Sequence, residues 1–495
     1  MDDASTPATP ELVLPQRLDL YYGGAWRAAR SGRRAESRNP GSGELLGEVA
    51  EGGPEDIDAA VAAAQEGFKV WREVAPLQRA RILRELAARV RRHGPELAML
   101  DAADCGNPVA EMLADAEGAA AQLDFFAGLV TEMKGASIPM GPDAVNFSVR
   151  EPLGVVARIL PFNHPLLFCA GKSGAILAAG NALIVKPPDQ APLSALRMAE
   201  LAADLFPPGV WNVVPASREA AQHLAGHPGV AKVALVGSVG AGRAVMRAAA
   251  ETLKPLLLEL GGKNALIAFP DADPDEVADA VIAGMNFTWC GQSCGSTSRA
   301  FLHADIHDQV LERVTAAAAR FRPGPPTDPK TTMGALVSRA QYERTLRYIE
   351  TAHAEGARLV TGGGPPDDPK LKDGFFIEPT IFADVTPEMT IAREEIFGPV
   401  LSVLKWSDRD AMLEQVNAVE YGLTCSIWTN DLDKAHRTAA RVQAGFVWVN
   451  EVARHFLGAP FGGFKQSGLG REECLDELLA FTQEKNIHIR LRRGR

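Results

Sequence analysis

Residues 155–186 read VVARILPFNHPLLFCAGKSGAILAAGNALIVK: an apolar run, a proline-bounded turn, a stretch of helical spacing, and a second apolar run. Val155–Leu160 and Ala182–Lys186 are short, β-branched and flanked by breakers, which predicts strands. Leu166–Ala179 between them reads as a helix. The alternation continues outward. Trp211–Val214, Val230–Val236 and Leu256–Leu260 read as strands, and Pro192–Leu205, Arg218–Gly226 and Gly242–Leu253 as helices. Such alternation implies an α/β fold, with a parallel sheet covered on both faces and ligands beyond the carboxyl ends of its strands. Asn163, Lys186, Gly237 and Glu259 all fall at or just past those ends.

From Pro54 to Val130 the pattern is helical, as in Ala59–Glu73 and Arg79–His93. A second α/β region runs from Gly261 to about Gly463, with strands expected at Ala265–Phe269, Arg299–His303, Val400–Trp406, Cys425–Thr429 and Phe446–Asn450. Val145–Arg150 and Ile487–Leu491 alternate with period two. They suit pairing with each other or with a partner subunit's edge, and equally a plain surface ribbon. Pro323–Pro329 and Gly362–Pro369 are turn-rich loops.

At 495 residues with 46% hydrophobic and 23% charged residues, the chain is long enough for two or three domains. A net charge of −11 with no sustained basic stripe argues against nucleic acid. The basic end Arg490–Arg495 reads as a solvated tail. Six scattered cysteines suit a reducing, cytoplasmic compartment. Met1–Arg17 is expected to be a disordered tail and lacks the build of a signal peptide; no 18-residue apolar stretch suggests a membrane span.

Three elements carry chemistry. Cys294, in Gly291-Gln292-Ser293-Cys294-Gly295, has small neighbours that suit close substrate approach, although an isolated cysteine is more commonly a packing residue. The same packing reading is given to Cys105, Cys169, Cys290, Cys425 and Cys474, with a redox partnership to Cys294 left open for Cys290. Glu259 closes the apolar run Leu256-Leu257-Leu258, where a hydrophobic border raises a carboxyl pKa and suits a general base. On its own it reads as a surface residue at a strand–loop junction. Asn163, in Pro161-Phe162-Asn163-His164-Pro165, is able to donate to an oxyanion, and is also a common turn device. Thiol, carboxylate and amide together suit covalent acyl chemistry on a carbonyl. Gly237-Ser238-Val239-Gly240-Ala241-Gly242 follows a strand and opens a helix, a junction that presents N–H groups to a pyrophosphate, but its spacing is not the G-x-G-x-x-G fingerprint. Lys186 and Asp189 are charges placed where a ribose is held, or ordinary loop charges beside Pro187 and Pro188.

On these residues the chain resembles the aldehyde dehydrogenase superfamily, hydrolytic and NAD(P)-dependent, from Tyr21-Tyr22-Gly23-Gly24-Ala25-Trp26 to Phe481-Thr482. The matching blocks are Pro161-Phe162-Asn163, Lys186-Pro187-Pro188, Gly237-Ser238 and Glu259-Leu260-Gly261-Gly262-Lys263. They continue with Gly291-Gln292-Ser293-Cys294, Glu394-Glu395-Ile396-Phe397-Gly398-Pro399-Val400 and Pro460-Phe461-Gly462-Gly463-Phe464-Lys465-Gln466-Ser467-Gly468.

The resemblance implies a Rossmann-like NAD-binding domain at 18–133 and 152–260 and an α/β catalytic domain at 261–474. It also implies a small β oligomerisation extension at 134–151 and 475–495, in a homodimer or homotetramer. It makes Cys294 the nucleophile, Glu259 the base and Asn163 the oxyanion donor, and it expects no metal. It assigns the cofactor to Leu160, Pro161, Phe162, Asn163, Lys186, Asp189, Gly237, Ser238, Gly242, Leu260, Glu395 and Phe397. By family position, His164, Phe168, Trp289, Ser293, Glu451, Arg454 and His455 line the aldehyde tunnel; the aromatic rings suit an aryl or medium-chain aldehyde, and the Glu451, Arg454 and His455 cluster suits a polar one or is a solvated mouth.

The chain departs from the family pattern in three places. Asp189 stands where glutamate is common; the retained acid favours NAD, with NADP possible. Ala216-Ser217-Arg218-Glu219-Ala220-Ala221 lacks the expected glycines, and Leu235-Val236 replaces Phe-Thr. The expected substrate is an aromatic or medium-chain aldehyde. A semialdehyde or amino-aldehyde is the alternative. A CoA-acylating enzyme is disfavoured by Glu259, and a non-catalytic homologue by the intact Cys294, Glu259 and Asn163 set.

Overall fold

Val155–Ile159 is apolar on both sides of its backbone, apart from Arg158, and sits at the centre of an eight-stranded sheet. On one side lie Ala182–Lys186, Trp211–Val213, Leu20–Tyr22 and Ala25–Arg27; on the other lie Lys232–Val236, Leu256–Glu259 and Gly468–Leu469. The five strands from Trp211–Val213 to Leu256–Glu259 are mutually parallel, with Val155 opposite Ala182 and Val236 opposite Glu259. Strand order therefore reverses between Val155–Ile159 and Lys232–Val236. That reversal opens a crevice at their carboxyl ends, the place where α/β sheets take ligands. The computed structural model describes residues 11–492.

A seven-stranded sheet comes next, in the order Arg358–Thr361, Thr380–Ala383, Val400–Trp406, Arg299–His303, Ala265–Ala268, Thr424–Trp428, Phe446–Val449, parallel except at its first strand. The chain then returns: Gly468–Leu469 pairs antiparallel with Leu258 and Glu259. Leu478 and Phe481 join the core built on Phe126, Val156 and Leu183. A late segment thus braces the strand that ends in Glu259.

The expected helix over 166–179 is broken. Pro165–Ala170 and Gly174–Ala178 are α-helical, and Gly171–Ser173 between them is 3-10. The cause is close packing on the helix Val109–Gly128: a side chain at Gly171 would meet Gln122 Oε1 at 2.7 Å, and one at Gly174 would meet Phe126 at 3.1 Å. The Ser173 hydroxyl also donates to the Cys169 carbonyl and competes with the helical ladder. The helix expected from Gly242 starts earlier, at Val239, because Ser238 Oγ accepts from the Ala241 N–H and caps it.

The two period-two segments pair with each other. Ala144–Pro152 and Thr482–Arg490 run antiparallel with Phe147 opposite Ile487, and Thr482–Arg490 is a free edge of this three-stranded sheet. Val145, Ile489 and Leu491 on this ribbon are exposed. Residues 11–17 carry no helix or strand. Residues 1–10 of the expected tail, and 493–495 of the basic end, lie outside the described residues.

Candidate active site

The loop that carries Cys294 begins where the helix Pro274–Met285 ends. Asn286, Cys290 and Gly291 all take left-handed backbone, with φ of 56°, 53° and 66°, so the chain reverses tightly. Glycine at 291 is a steric necessity, since a Cβ there would lie 2.2 Å from the Gly398 carbonyl. Three side-chain hydrogen bonds fix the rest of the loop: Gln292 Oε1 accepts from Val337 N–H at 3.1 Å, and Asn264 Nδ2 donates to the carbonyls of Cys294 at 2.7 Å and Ser296 at 3.0 Å. Cys294 is half-buried, whereas the other five cysteines are buried. Cys290 donates its S–H to the Gly334 carbonyl at 3.1 Å and is a packing residue.

Cys294 and Glu259 line one cavity of about 360 Å³. The expected tunnel residues His164, Phe168, Trp289, Ser293 and His455 line it as well. Glu451 and Arg454 do not; they pair with each other at 3.5 Å, and Arg454 is largely solvated. Asn163 is not in the lining either. It is buried directly before His164, its carbonyl accepts from Asn107 Nδ2 at 2.8 Å, and its side-chain amide makes no hydrogen bond among the described residues.

Glu259 is the last residue of its strand and is buried. Burial and the nearby Glu472 carboxylate push its pKa up to about 8, while Cys294 and Lys172 pull the other way. Its Oε1 is buried without a hydrogen-bond partner. Burial and Glu259 in turn push the Cys294 thiol well above its usual range.

Beneath this pair runs an ionic chain that the sequence did not disclose. Arg158 pairs with Glu472 at 2.9 Å, Glu472 with Lys172 at 2.9 Å, Lys172 with Glu473 at 3.2 Å, and Glu473 with His455 at 3.0 Å. Burial alone would raise Glu473, but Lys172 and His455 hold it down at about 2. Asp115, also missed, accepts from His164 Nδ1 at 2.8 Å.

The remaining expected residues lie along the strand ends. Leu160 N–H donates to the Lys186 carbonyl at 3.0 Å, and Lys186 is ion-paired with Asp189. Asp189 shares a crevice of about 140 Å³ with Pro187, Pro188 and the glycine-free stretch Ala216, Ser217 and Arg218. Leu260 lies against Gly242, where a Cβ would come within 2.6 Å of its side chain. Glu395 Oε1 accepts from Gly262 N–H at 2.9 Å, and its carboxylate covers Gly261, where a Cβ would stand 2.1 Å away. Phe397 takes φ 59° and meets Phe162 edge to face, their ring centres 5.8 Å apart.

A model of the aldehyde dehydrogenase family matches residues 26–487. The chain belongs to the aldehyde dehydrogenase family. It is 52% identical over 489 residues to aldehyde dehydrogenase tropH of Talaromyces stipitatus, covering 97% of this chain and 95% of that protein. A gamma-glutamyl-gamma-aminobutyraldehyde dehydrogenase from Burkholderia cenocepacia superposes with a TM-score of 0.93 at 40% identity, over 97% of this chain and 98% of that one. An indole-3-acetaldehyde dehydrogenase from P. syringae, solved with NAD+ and IAA, gives 0.94 at 36% identity, over 97% of each chain. The protein is an NAD(P)-dependent aldehyde dehydrogenase.

The donor set of this aldehyde dehydrogenase fits such a dinucleotide. It supplies the N–H groups that open the helix Val239–Ala250 ahead of the capped Ala241, an ion-paired acid at Asp189, and the Glu395 carboxylate held by Gly262 N–H just past the Glu259 strand. Among the described residues, Asp58, His223 and His227 form a group with metal-ligand spacing. His227 Nδ1 accepts from Gly229 N–H at 2.9 Å, however, which puts the ring proton on Nε2 and makes that nitrogen a donor to Asp58 rather than a ligand. Among the described residues, no helix of this aldehyde dehydrogenase is long and apolar enough to cross a membrane.

Proposed function

We propose that the protein oxidises an aromatic or medium-chain aldehyde to its carboxylate through a covalent thioester on Cys294, with water as the acyl acceptor. The observation that carries this reading is the shared cavity. It brings the one cysteine of the six that is not buried against a buried carboxyl whose pKa is raised to about 8. The Cys294 sulfur adds to the aldehyde carbon as the carbonyl π pair moves to oxygen, and the thiol proton is lost to solvent. The Cys294 backbone N–H and the unengaged Asn163 amide stabilise the oxyanion. When bound, the nicotinamide cofactor accepts the hydride that leaves the tetrahedral carbon. Glu259, once ionised, takes a proton from water as that water attacks the thioester; the carboxylate product leaves and the sulfur is regenerated.

Lys186 and Asp189 would hold the adenosine ribose, Gly237, Ser238 and the helix N-terminus the pyrophosphate, and Glu395 the nicotinamide-side ribose. Asp189 favours NAD over NADP by repelling a 2′-phosphate. Residues 18–133 and 152–260 make the nucleotide-binding domain and 261–474 the catalytic one. NADH formation from an aldehyde panel, with and without CoA, tests the reading. A requirement for CoA, or no reduced cofactor from any aldehyde, would sink it.

Gly261→Ala puts a methyl group where the Glu395 carboxylate lies, 2.1 Å from it. The cofactor KM should rise by about tenfold or more, the equivalent of roughly one lost charge-assisted hydrogen bond; an unchanged KM would remove Glu395 from the cofactor site. The free edge Thr482–Arg490 with exposed Val145, Ile489 and Leu491 supports a homo-oligomer, dimer or tetramer. Light scattering should give a multiple of 52.8 kDa, and a monomer at working concentration would contradict this.

A further inference from the structure

The aldehyde cavity is unusually ionic for a pocket walled by Phe168, Trp289, Trp448 and Phe461. Its carboxylates are nevertheless already satisfied. Glu472 is held by Arg158 and Lys172, Glu473 by Lys172 and His455, and Asp115 by His164. Glu259, with a pKa of about 8, is mostly protonated at neutral pH. No carboxylate is left over to receive a cationic substrate. The imidazoles are different. His164 spends Nδ1 on Asp115, and its Nε2 makes no hydrogen bond among the described residues.

His164 is also built to stay in place. Its side chain is 12% exposed, and its ring meets Trp289 at 5.0 Å and Phe168 at 5.3 Å, both edge to face. It lines the same cavity as Cys294. Burial works against the charged ring, but Asp115, Asp101 and Glu111 around it outweigh that and raise its pKa. Among these, Asp101 is itself pushed up to about 8 by burial, which leaves Asp115 as the principal counter-charge.

We propose that His164, oriented by Asp115, is the specificity-determining residue of this enzyme, and that the aldehyde it selects is a planar aromatic one carrying an anionic oxygen. The proposal rests on aldehyde oxidation through Cys294 and adds the chemical class of the substrate. The Nε2–H of the imidazolium donates to that oxygen, while the aromatic walls take the ring. A carboxylate and an ionised acidic phenol share this chemistry. An amino-aldehyde finds no open carboxylate and is a poor substrate.

The test is kcat/KM for 3- and 4-formylbenzoate and for 4-hydroxy-3-nitrobenzaldehyde, whose phenol is ionised at neutral pH. Each is set against the neutral methyl formylbenzoates and against 4-(trimethylammonio)benzaldehyde. At least one anionic aldehyde should exceed its neutral counterpart by about tenfold or more, the usual worth of a hydrogen bond to a charged group. Which anion wins separates carboxylate from phenolate. In His164→Phe the anion-to-neutral ratio should fall to within about twofold of one, chiefly through KM, and the melting temperature and circular dichroism report that the variant is folded. Asp115→Asn should move the loss of anion preference to lower pH, because it removes the main counter-charge that keeps the ring protonated. A wild type with no preference for anions, or a preference that survives in His164→Phe, would overturn the proposal while leaving aldehyde oxidation intact. Absence of NADH from the neutral esters and every other aldehyde would overturn both.

Discussion

Cys294→Ala is expected to abolish aldehyde-dependent NADH formation, a loss of roughly ten-thousand-fold or more, in a protein that still folds. The size of the effect comes from covalent catalysis: without the sulfur there is no adduct from which a hydride departs. The retained fold comes from how the loop is held. Asn264 clamps the Cys294 carbonyl rather than its thiol, and Gly291 and Gln292 are fixed through Gly398 and Val337. Circular dichroism and the melting temperature should match the wild type closely while turnover disappears. Cys290→Ala makes the contrast. That thiol is buried and donates to Gly334, so its loss should cost stability rather than the chemical step. Comparable turnover in wild type and Cys294→Ala would refute the assignment of the nucleophile.

Glu259→Gln is expected to separate the two halves of the reaction. Glutamine keeps the shape of the side chain but is unable to deprotonate water. The first turnover should therefore appear as a burst of NADH near one equivalent per active site, followed by a steady rate slowed by about a hundred- to ten-thousand-fold. The pH dependence carries the same signature. The base works only when ionised, and burial beside Glu472 holds its pKa at about 8. The steady rate of the wild type should thus fall about tenfold for each unit below that value and level off above it. In Glu259→Gln that rise should be missing. A variant with no burst, or with the wild-type profile, would take the base role away from Glu259.

The framework was legible because it is written locally. Alternating apolar runs and helical spacings gave Ala182–Lys186, Arg218–Gly226, Arg299–His303 and Val400–Trp406 with the bounds they have in the structure. The positions of Asn163, Lys186, Gly237 and Glu259 at strand ends were readable for the same reason. Pairings across the chain were not. Arg158 meets Glu472 and Lys172 meets Glu473 over separations of 314 and 301 residues, and no periodicity records such a contact. Two signals were present all the same: an arginine inside an otherwise apolar strand demands a buried partner, and two adjacent glutamates come directly after a glycine-rich block. The break at Gly171–Ser173 was hidden for a related reason, since it answers the approach of Gln122 and Phe126 from another helix. Asp115 likewise looked like an ordinary helical acid until the fold set it against His164.

The mass of the enzyme caught in mid-reaction decides whether oxidation runs through a covalent thioester. Glu259→Gln is mixed with aldehyde and NAD+, quenched in acid, digested and read by mass spectrometry. The peptide containing Cys294 is expected to gain the mass of the acyl group, in an amount matching the NADH burst. An acyl group on another residue, or a stoichiometric burst that leaves Cys294 unmodified, would contradict the thioester route.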